Sequence, residues 1–252
     1  MVIERRVLRV LEQRCRFTAP RVIAEAPDGT VDVRTAVPGV HDTWAVFRHL
    51  KQDEAASRNV GATLGEILAD LHTNVPSTDV KDWIPHRPDW PEPRAVIAER
   101  LPQVVDDPHL HAAADAVIAA YEDAIESTAD SDRVLVHGDL GLHNVSIDAL
   151  ALRVNGIFDW ETACWSDRHV DFRYLAFDVG RLELLESAIE SYGQLTGVEI
   201  SRERVALYNA ASAIGFLAYR VGVTPETRWC GRTLREDLEW TRHAIAHVNV
   251  AR

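Results

Sequence analysis

Apolar positions recur along the chain with two periods, and the switches between them divide it. Residues 3–14 carry Ile3, Val7, Val10 and Leu11 at helical spacing, which predicts an amphipathic helix. Two strand-like runs follow Pro20, at 21–26 and 30–37, with Pro27-Asp28-Gly29 between them as a hairpin turn. In the second run Val31, Val33, Thr35 and Val37 alternate with Asp32, Arg34 and Ala36, the pattern of a half-buried strand that Pro38-Gly39 ends. Helical spacing returns from about Ser57 to His72, through Val60, Leu64, Ile67, Leu68 and Leu71. Residues 74–94 hold five prolines, which predicts an irregular loop, anchored by Trp83 and Trp90. Another helix is expected from about Pro108 to Ser127, with Leu110, Ala114, Val117, Ile118, Tyr121 and Ile125 inward.

At 133 the texture changes. Short strands are expected at 133–136, 145–147 and 153–158, and the chain reads as helical again from Asp171 onward. One helical stretch holds Tyr208, Ile214, Leu217 and Val221. Thr233-Leu-Arg-Glu236 is a capping-box signature that opens a last helix. No internal repeat or low-complexity tract interrupts this order.

The chemistry concentrates where the first two of those strands are joined. The apolar run Val134-Leu135-Val136 stops at His137, and Gly138, Asp139, Gly141, His143 and Asn144 come at once. A turn needs a glycine or an asparagine, not this density of polar groups. Fifteen residues after Asn144, at the end of the 153–158 strand, stands Asp159. A hairpin would bring Asp139, Asn144 and Asp159 together. Hard oxygen ligands of this kind suit Mg2+, which completes its shell with water and phosphate oxygens. One aspartate is then free to orient a hydroxyl nucleophile, the arrangement that phosphoryl transfer to an alcohol needs.

Composition narrows the setting. The chain has 252 residues, 46% hydrophobic and 26% charged, as expected of one large globular domain or a small one joined to a larger. No run approaches the ~18–20 apolar residues of a membrane helix, and the charged start lacks the apolar core of a signal peptide. No membrane partner and a cytoplasmic location are therefore expected. The net charge of −12 argues against a nucleic-acid partner. Cys15, Cys164 and Cys230 show no paired spacing and are read as buried, reduced thiols.

The set His137-Gly-Asp139 with Asn144, followed by Ile157-Phe-Asp159-Trp-Glu161, resembles the aminoglycoside phosphotransferase and choline kinase family, a branch of the protein-kinase-like fold. Leu64-Gly-Glu-Ile-Leu68-Ala-Asp-Leu71-His72 resembles its helix ending in Leu-His, and Arg34-Thr-Ala-Val-Pro38-Gly39 its hinge between lobes. Ser166-Asp167-Arg-His-Val-Asp171-Phe resembles the segment after its metal aspartate, with Arg168 in place of a proline. The resemblance implies an α+β fold. A mostly helical C-lobe would span 40–252, with the catalytic loop at 137–144 and a metal-binding strand end at 157–161. Residues 1–39, a helix and a β-hairpin with the hinge at 34–39, would be a partial N-lobe.

It also implies roles. Asp139 would be the catalytic base, Asn144 and Asp159 would bind Mg2+, His137 would brace the loop, and Asp171 would hold it from behind. Glu4 would sit where the family places the acid that pairs with a nucleotide-binding lysine, and the hinge residues Arg34, Thr35, Ala36 and Val37 would meet the nucleotide. The implied reaction passes the γ-phosphoryl of ATP or GTP to a hydroxyl of a small molecule, aminoglycoside-like or another hydroxylated metabolite. Tyr208, Tyr219 and Asp237 fall on C-terminal helices that line the acceptor pocket in the family.

One departure matters. The only lysines are Lys51 and Lys81, and no Gly-rich loop precedes residue 39. The expectation is a fragment or a misassigned start, with the missing strands upstream. The alternative is a catalytically impaired kinase-like binding protein. A third reading takes His137, Asp139, His143, Asp167, His169 and Asp171 as a metallohydrolase cluster. It is less favoured because that cluster has no His-x-His pair. Asp167 is either a further acid near the metal or a helix N-cap.

Overall fold

A computed structural model describes residues 2–41, 43–175, 181–229 and 231–248. In chain order its elements are α1 (Val2–Arg14), β1 (Val22–Glu25), β2 (Asp32–Arg34), α2 (Thr43–Gln52), α3 (Glu54–Asn74), α4 (Ser77–Val80), α5 (Arg94–Val104) and α6 (Pro108–Glu126). Then come β3 (Arg133–Val136), β4 (Val145–Asp148), β5 (Arg153–Ile157), β6 (Cys164–Asp167), α7 (Leu182–Thr196), α8 (Arg202–Ala218) and α9 (Leu234–Ala246). The chain divides into two compact units. One comprises Met1–Pro88 with Ala129–Ile200, and the other Asp89–Thr128 with Ser201–Arg252.

The first unit is organised around α3. Its Val60, Leu64, Leu68 and Leu71 are completely buried, as their spacing predicts. Asp53 caps the helix by accepting a hydrogen bond from the Ala56 amide, so α3 begins three residues before the expected start. Leu184, Ala188 and Tyr192 of α7 are equally buried. The two helix backbones approach closely at Gly61 and Gly65. A Cβ on Gly61 would lie 2.2 Å from the Leu184 carbonyl oxygen, and one on Gly65 2.2 Å from that of Ala188.

Three antiparallel pairs complete this unit: β1–β2, β3–β6 and β4–β5. Strand β6 goes beyond the expected strands. It matches Ser166 to Val134 and Trp165 to Leu135, and the Trp165 amide also reaches the Pro85 carbonyl at 2.8 Å. Its sequence, Cys-Trp-Ser-Asp, has no apolar run to announce a strand. The β4–β5 hairpin is flanked on both edges. Val40 bridges to Ile147 on one side and Thr18 to Gly156 on the other.

The β1–β2 hairpin corrects one expectation. Val37 is buried, but Val31 and Val33 are 61% and 55% exposed, and the polar Asp32 and Arg34 face inward. The cause lies on α1, which buries Glu4 and Arg5 as well as Val7, Leu8 and Leu11. Buried charges need partners. Arg5 pairs with Glu25 and Asp32, and Glu4 pairs with Arg34. The charges of the helix therefore turn the polar face of the hairpin inward.

The second unit contains α5, α6, α8 and α9. Asp107 caps α6, Ser201 caps α8, and Thr233 with Glu236 forms the expected capping box of α9. Helix α8 ends at Ala218, so Val221 lies beyond it and is partly exposed. Arg220 is buried and takes Asp237 together with the carbonyls of Thr227 and Arg232. Asp237 is also held by Arg232. Helices α2, α4 and α5 are additions to the expected set: α4 lies within the expected 74–94 loop, and α5 starts after Pro93 and contains Pro102, residues that read as loop signals. Among the described residues no helix is long and apolar enough to cross a membrane. Cys15 and Cys164 are free thiols, and burial beside Asp70 pushes Cys15 up to about 12. Cys230 lies outside the described residues.

Replacing Gly65 with alanine is expected to destabilise the chain by about 1–3 kcal/mol, because the new methyl meets backbone that cannot swing aside. Denaturant unfolding of Gly65→Ala against the wild type measures this.

Candidate functional site

Strand β3 ends at Val136, and the polar loop begins within the core. His137 is completely buried and Gly138 has a φ of +85°. A Cβ at Gly138 would lie 2.4 Å from the Thr162 carbonyl oxygen, so only glycine fits this turn. The amides of His137 and Gly138 both donate to Asp171, at 2.9 and 3.0 Å. The loop's carbonyls are satisfied too: Thr162 donates to His137 at 3.0 Å, and Arg173 donates to Gly138.

Asp171 is 1% exposed and accepts a third bond from His72 Nε2, at 3.2 Å. Burial alone would raise its carboxyl. The hydrogen bonds from His72 and from the His137 amide outweigh it and hold Asp171 below the ordinary range. Burial pushes the His72 and His137 rings below the usual imidazole range, against the pull of Asp171.

The His137 ring connects the two halves of the site. Its Nε2 lies 2.9 Å from the Phe158 carbonyl oxygen, so it donates there. Its Nδ1 accepts the Asp139 amide at 3.2 Å. The Phe158 amide donates to the Asn144 carbonyl at 3.0 Å. Phe158 is thus clamped on both sides, and the residue after it is Asp159. The hairpin turns β4 and β5 back on each other so that Asn144, before β4, and Phe158, after β5, meet.

Two carboxylates emerge from this frame. Asp139 has a side chain about one-third exposed; its Oδ2 lies 3.2 Å from His143 Nε2 and 3.2 Å from Asn144 Nδ2. Partial burial raises its carboxyl, but the His143 bond and the nearby positive groups win, and Asp139 sits below the ordinary range. It is ionised at neutral pH. Asp159 is exposed, adopts a left-handed φ of +67°, and has no hydrogen-bond or ion-pair partner among the described residues. A non-glycine residue held there marks stored strain of the kind found at functional positions. Asn144 commits its NH2 group to the carbonyl and carboxylate of Asp139. Its amide oxygen has no donor among the described residues. An amide oxygen and a free carboxylate form a donor set that fits Mg2+.

The other expected residues are placed elsewhere. Glu4 is buried against Arg34, and the bidentate Asp32 followed by Glu4 pushes the Arg34 guanidinium further up. The Thr35 amide and hydroxyl are committed to Arg21, Ala36 is exposed, and Val37 is buried. The segment after them is pinned to the β4–β5 hairpin. The Pro38 carbonyl accepts from Ser146 at 2.6 Å and from Asn155 at 3.0 Å. Asp167 acts as an N-cap, taking the His169 amide and ring. Among the described residues no three or more His, Cys, Asp and Glu side chains are grouped to hold a metal ion, so the metallohydrolase alternative lacks a ligand set. Tyr208 and Asp237 are buried, and Tyr219 is exposed. Sequence patterns assign no role to Thr162, Arg173 or the His143–Asp139 contact. His72 carries a signal, as the end of the Leu-His helix, without showing what it holds.

A sequence profile of the phosphotransferase enzyme family, APH, matches residues 2–208. No curated protein matches the chain significantly. Among solved structures, the GDP and kanamycin complex of APH(2")-IIia is 19% identical, with a TM-score of 0.67 over 97% of this chain and 79% of that one. The streptomycin-ATP-APH(2")-IIa ternary complex is 15% identical, with a TM-score of 0.60 over 99% and 81%. Macrolide 2'-phosphotransferase type I is 21% identical, with a TM-score of 0.58 over 100% and 79%. These likenesses show the fold, α+β and protein-kinase-like.

Stability is expected to fall as pH drops below about 6.5, the ordinary histidine value. The unfolded chain then takes up protons that the buried, neutral rings of His72 and His137 do not, so stability rises with pH through this window. Unfolding free energies between pH 8 and pH 5 test it, and a His72→Gln variant should show the shallower dependence.

Proposed function

The chain belongs to the phosphotransferase enzyme family, and on that premise we propose that it transfers the γ-phosphoryl of ATP or GTP to a hydroxyl of a small molecule. One observation carries the reading. Asp139 and Asp159 present carboxylates from a single hydrogen-bonded frame, one beside positive groups and the other with no protein partner among the described residues. Asp139 is the base: it orients the acceptor hydroxyl and takes its proton as the new bond to phosphorus forms. Asn144 and Asp159 would hold Mg2+, which when bound neutralises charge on the nucleotide phosphates. His137 and Asp171 fix the backbone between these groups.

Residues 1–39 are read as small-lobe structure and 40–252 as the large lobe. The hydrogen bonds from Ser146 and Asn155 to Pro38 support a hinge at 34–39 held against the catalytic hairpin. Nucleotide and acceptor meet in the cytoplasm in this reading. The similar structures include complexes with GDP, ATP, kanamycin and streptomycin and a macrolide phosphotransferase, which sets the first panel of donors and acceptors. A second reading, a chain that binds nucleotide without turnover, is favoured by the commitment of Glu4 to Arg34. It predicts a nucleotide-dependent rise in Tm and no phosphorylated product with any acceptor.

With an acceptor in hand, Asp139→Asn should lower kcat by about 10²- to 10⁴-fold while nucleotide KM changes little. A variant that kept the wild-type rate would remove Asp139 from the mechanism. Asp159→Ala should abolish the Mg2+-dependent part of nucleotide binding, read by calorimetry with and without the metal.

A further inference from the structure

Behind the catalytic loop, buried side chains form one hydrogen-bonded series whose outer end the proposed reaction does not use. Arg168 Nη1 donates to Tyr192 Oη at 2.9 Å. Tyr192 Oη lies 3.2 Å from His72 Nδ1, and His72 Nε2 lies 3.2 Å from Asp171 Oδ2. Asp171 then holds the amides of His137 and Gly138. Arg168 is itself anchored, with Nη2 on the Ser131 carbonyl at 2.6 Å and Asp132 at 3.6 Å. The His72 side chain is completely buried, and Tyr192 packs edge-on against both His72 and Phe172.

We propose that Tyr192, oriented by Arg168, is a positioning residue that fixes His72 in the Nε2–H tautomer and so keeps the Asp171 carboxylate on the backbone of the Asp139 loop.

Counting donors and acceptors fixes the direction of every bond. A guanidinium only donates, so Tyr192 Oη must accept from Arg168. The single phenolic proton then points toward His72 Nδ1, which must offer a lone pair. The ring proton is left on Nε2, facing Asp171. The opposite tautomer would set a bare nitrogen against a carboxylate and leave the phenolic proton without an acceptor. A protonated His72 would leave the Tyr192 hydroxyl without an acceptor, and would add charge near Arg168 and His169 in a buried place. Arg168 thereby sets the polarity of the whole series from its far end. A tyrosine that merely filled space would not require its hydroxyl.

Tyr192→Phe keeps the ring and removes only that hydroxyl. Nitrogen-15 NMR of the intact chain reads the His72 tautomer, and hydrogen exchange reads the His137 and Gly138 amides. Neither needs turnover, so the inference is independent of the proposed reaction. In the wild type His72 should show one protonated nitrogen, Nε2. In Tyr192→Phe the tautomers should mix, and both amides should exchange about tenfold faster. An unchanged single tautomer with unchanged exchange would overturn the proposal. If Tyr192→Phe does not fold, Arg168→Gln is read the same way, and a wild-type pattern there overturns it equally.

Discussion

One carboxylate, that of Asp171, fixes the geometry on which the site depends. It is removed from solvent and held by three hydrogen-bond donors, two of them consecutive backbone amides. Backbone bonded in this way has no freedom to pivot, and the side chains beyond it inherit that rigidity. A buried carboxylate persists only while its donors persist. The loop, the end of α3 and the Asp171 segment therefore form one cooperative structure.

The groups proposed to react keep atoms outside that network of bonds. His137 commits both ring nitrogens to backbone, one to Asp139 and one to Phe158. Phe158 commits its own backbone amide to Asn144. The groups that would do chemistry keep free atoms: the Asp159 carboxylate and the amide oxygen of Asn144. Satisfying the frame internally, while leaving the ends unsatisfied, is how a rigid fold presents groups for a ligand. The strained φ of Asp159 fits the same division, because the clamps on Phe158 over-determine the backbone of its successor.

Charge also decides where α1 and the β1–β2 hairpin face. An alternating strand is expected to bury its valines, yet two ion pairs from Arg5 and Glu4 turn Asp32 and Arg34 inward and leave Val31 and Val33 to solvent. In the other unit Arg220 and Arg232 neutralise Asp237, so the acidic side chain is structural where it sits. The net charge of −12 says little about local chemistry, because the charges that orient these elements are already paired.

The sequence by itself determined the long periodic helices, the capping box of α9, and the loop whose density of Asp, His, Gly and Asn marks the candidate site. These are local properties: helical period, cap chemistry and ligand type are written in adjacent residues. Strand β6, with its mixed Cys-Trp-Ser-Asp sequence, and helix α5, with its prolines, give weak local signals and acquire their form from neighbours distant in the chain. Only the tertiary structure decided which way the first hairpin faces and which donors surround Asp171. Those outcomes depend on partners some 20 to 100 positions away, as the separations of 20 for Arg5–Glu25 and 99 for His72–Asp171 show. Burial and pairing act in space, where spacing along one strand or helix carries no record of them.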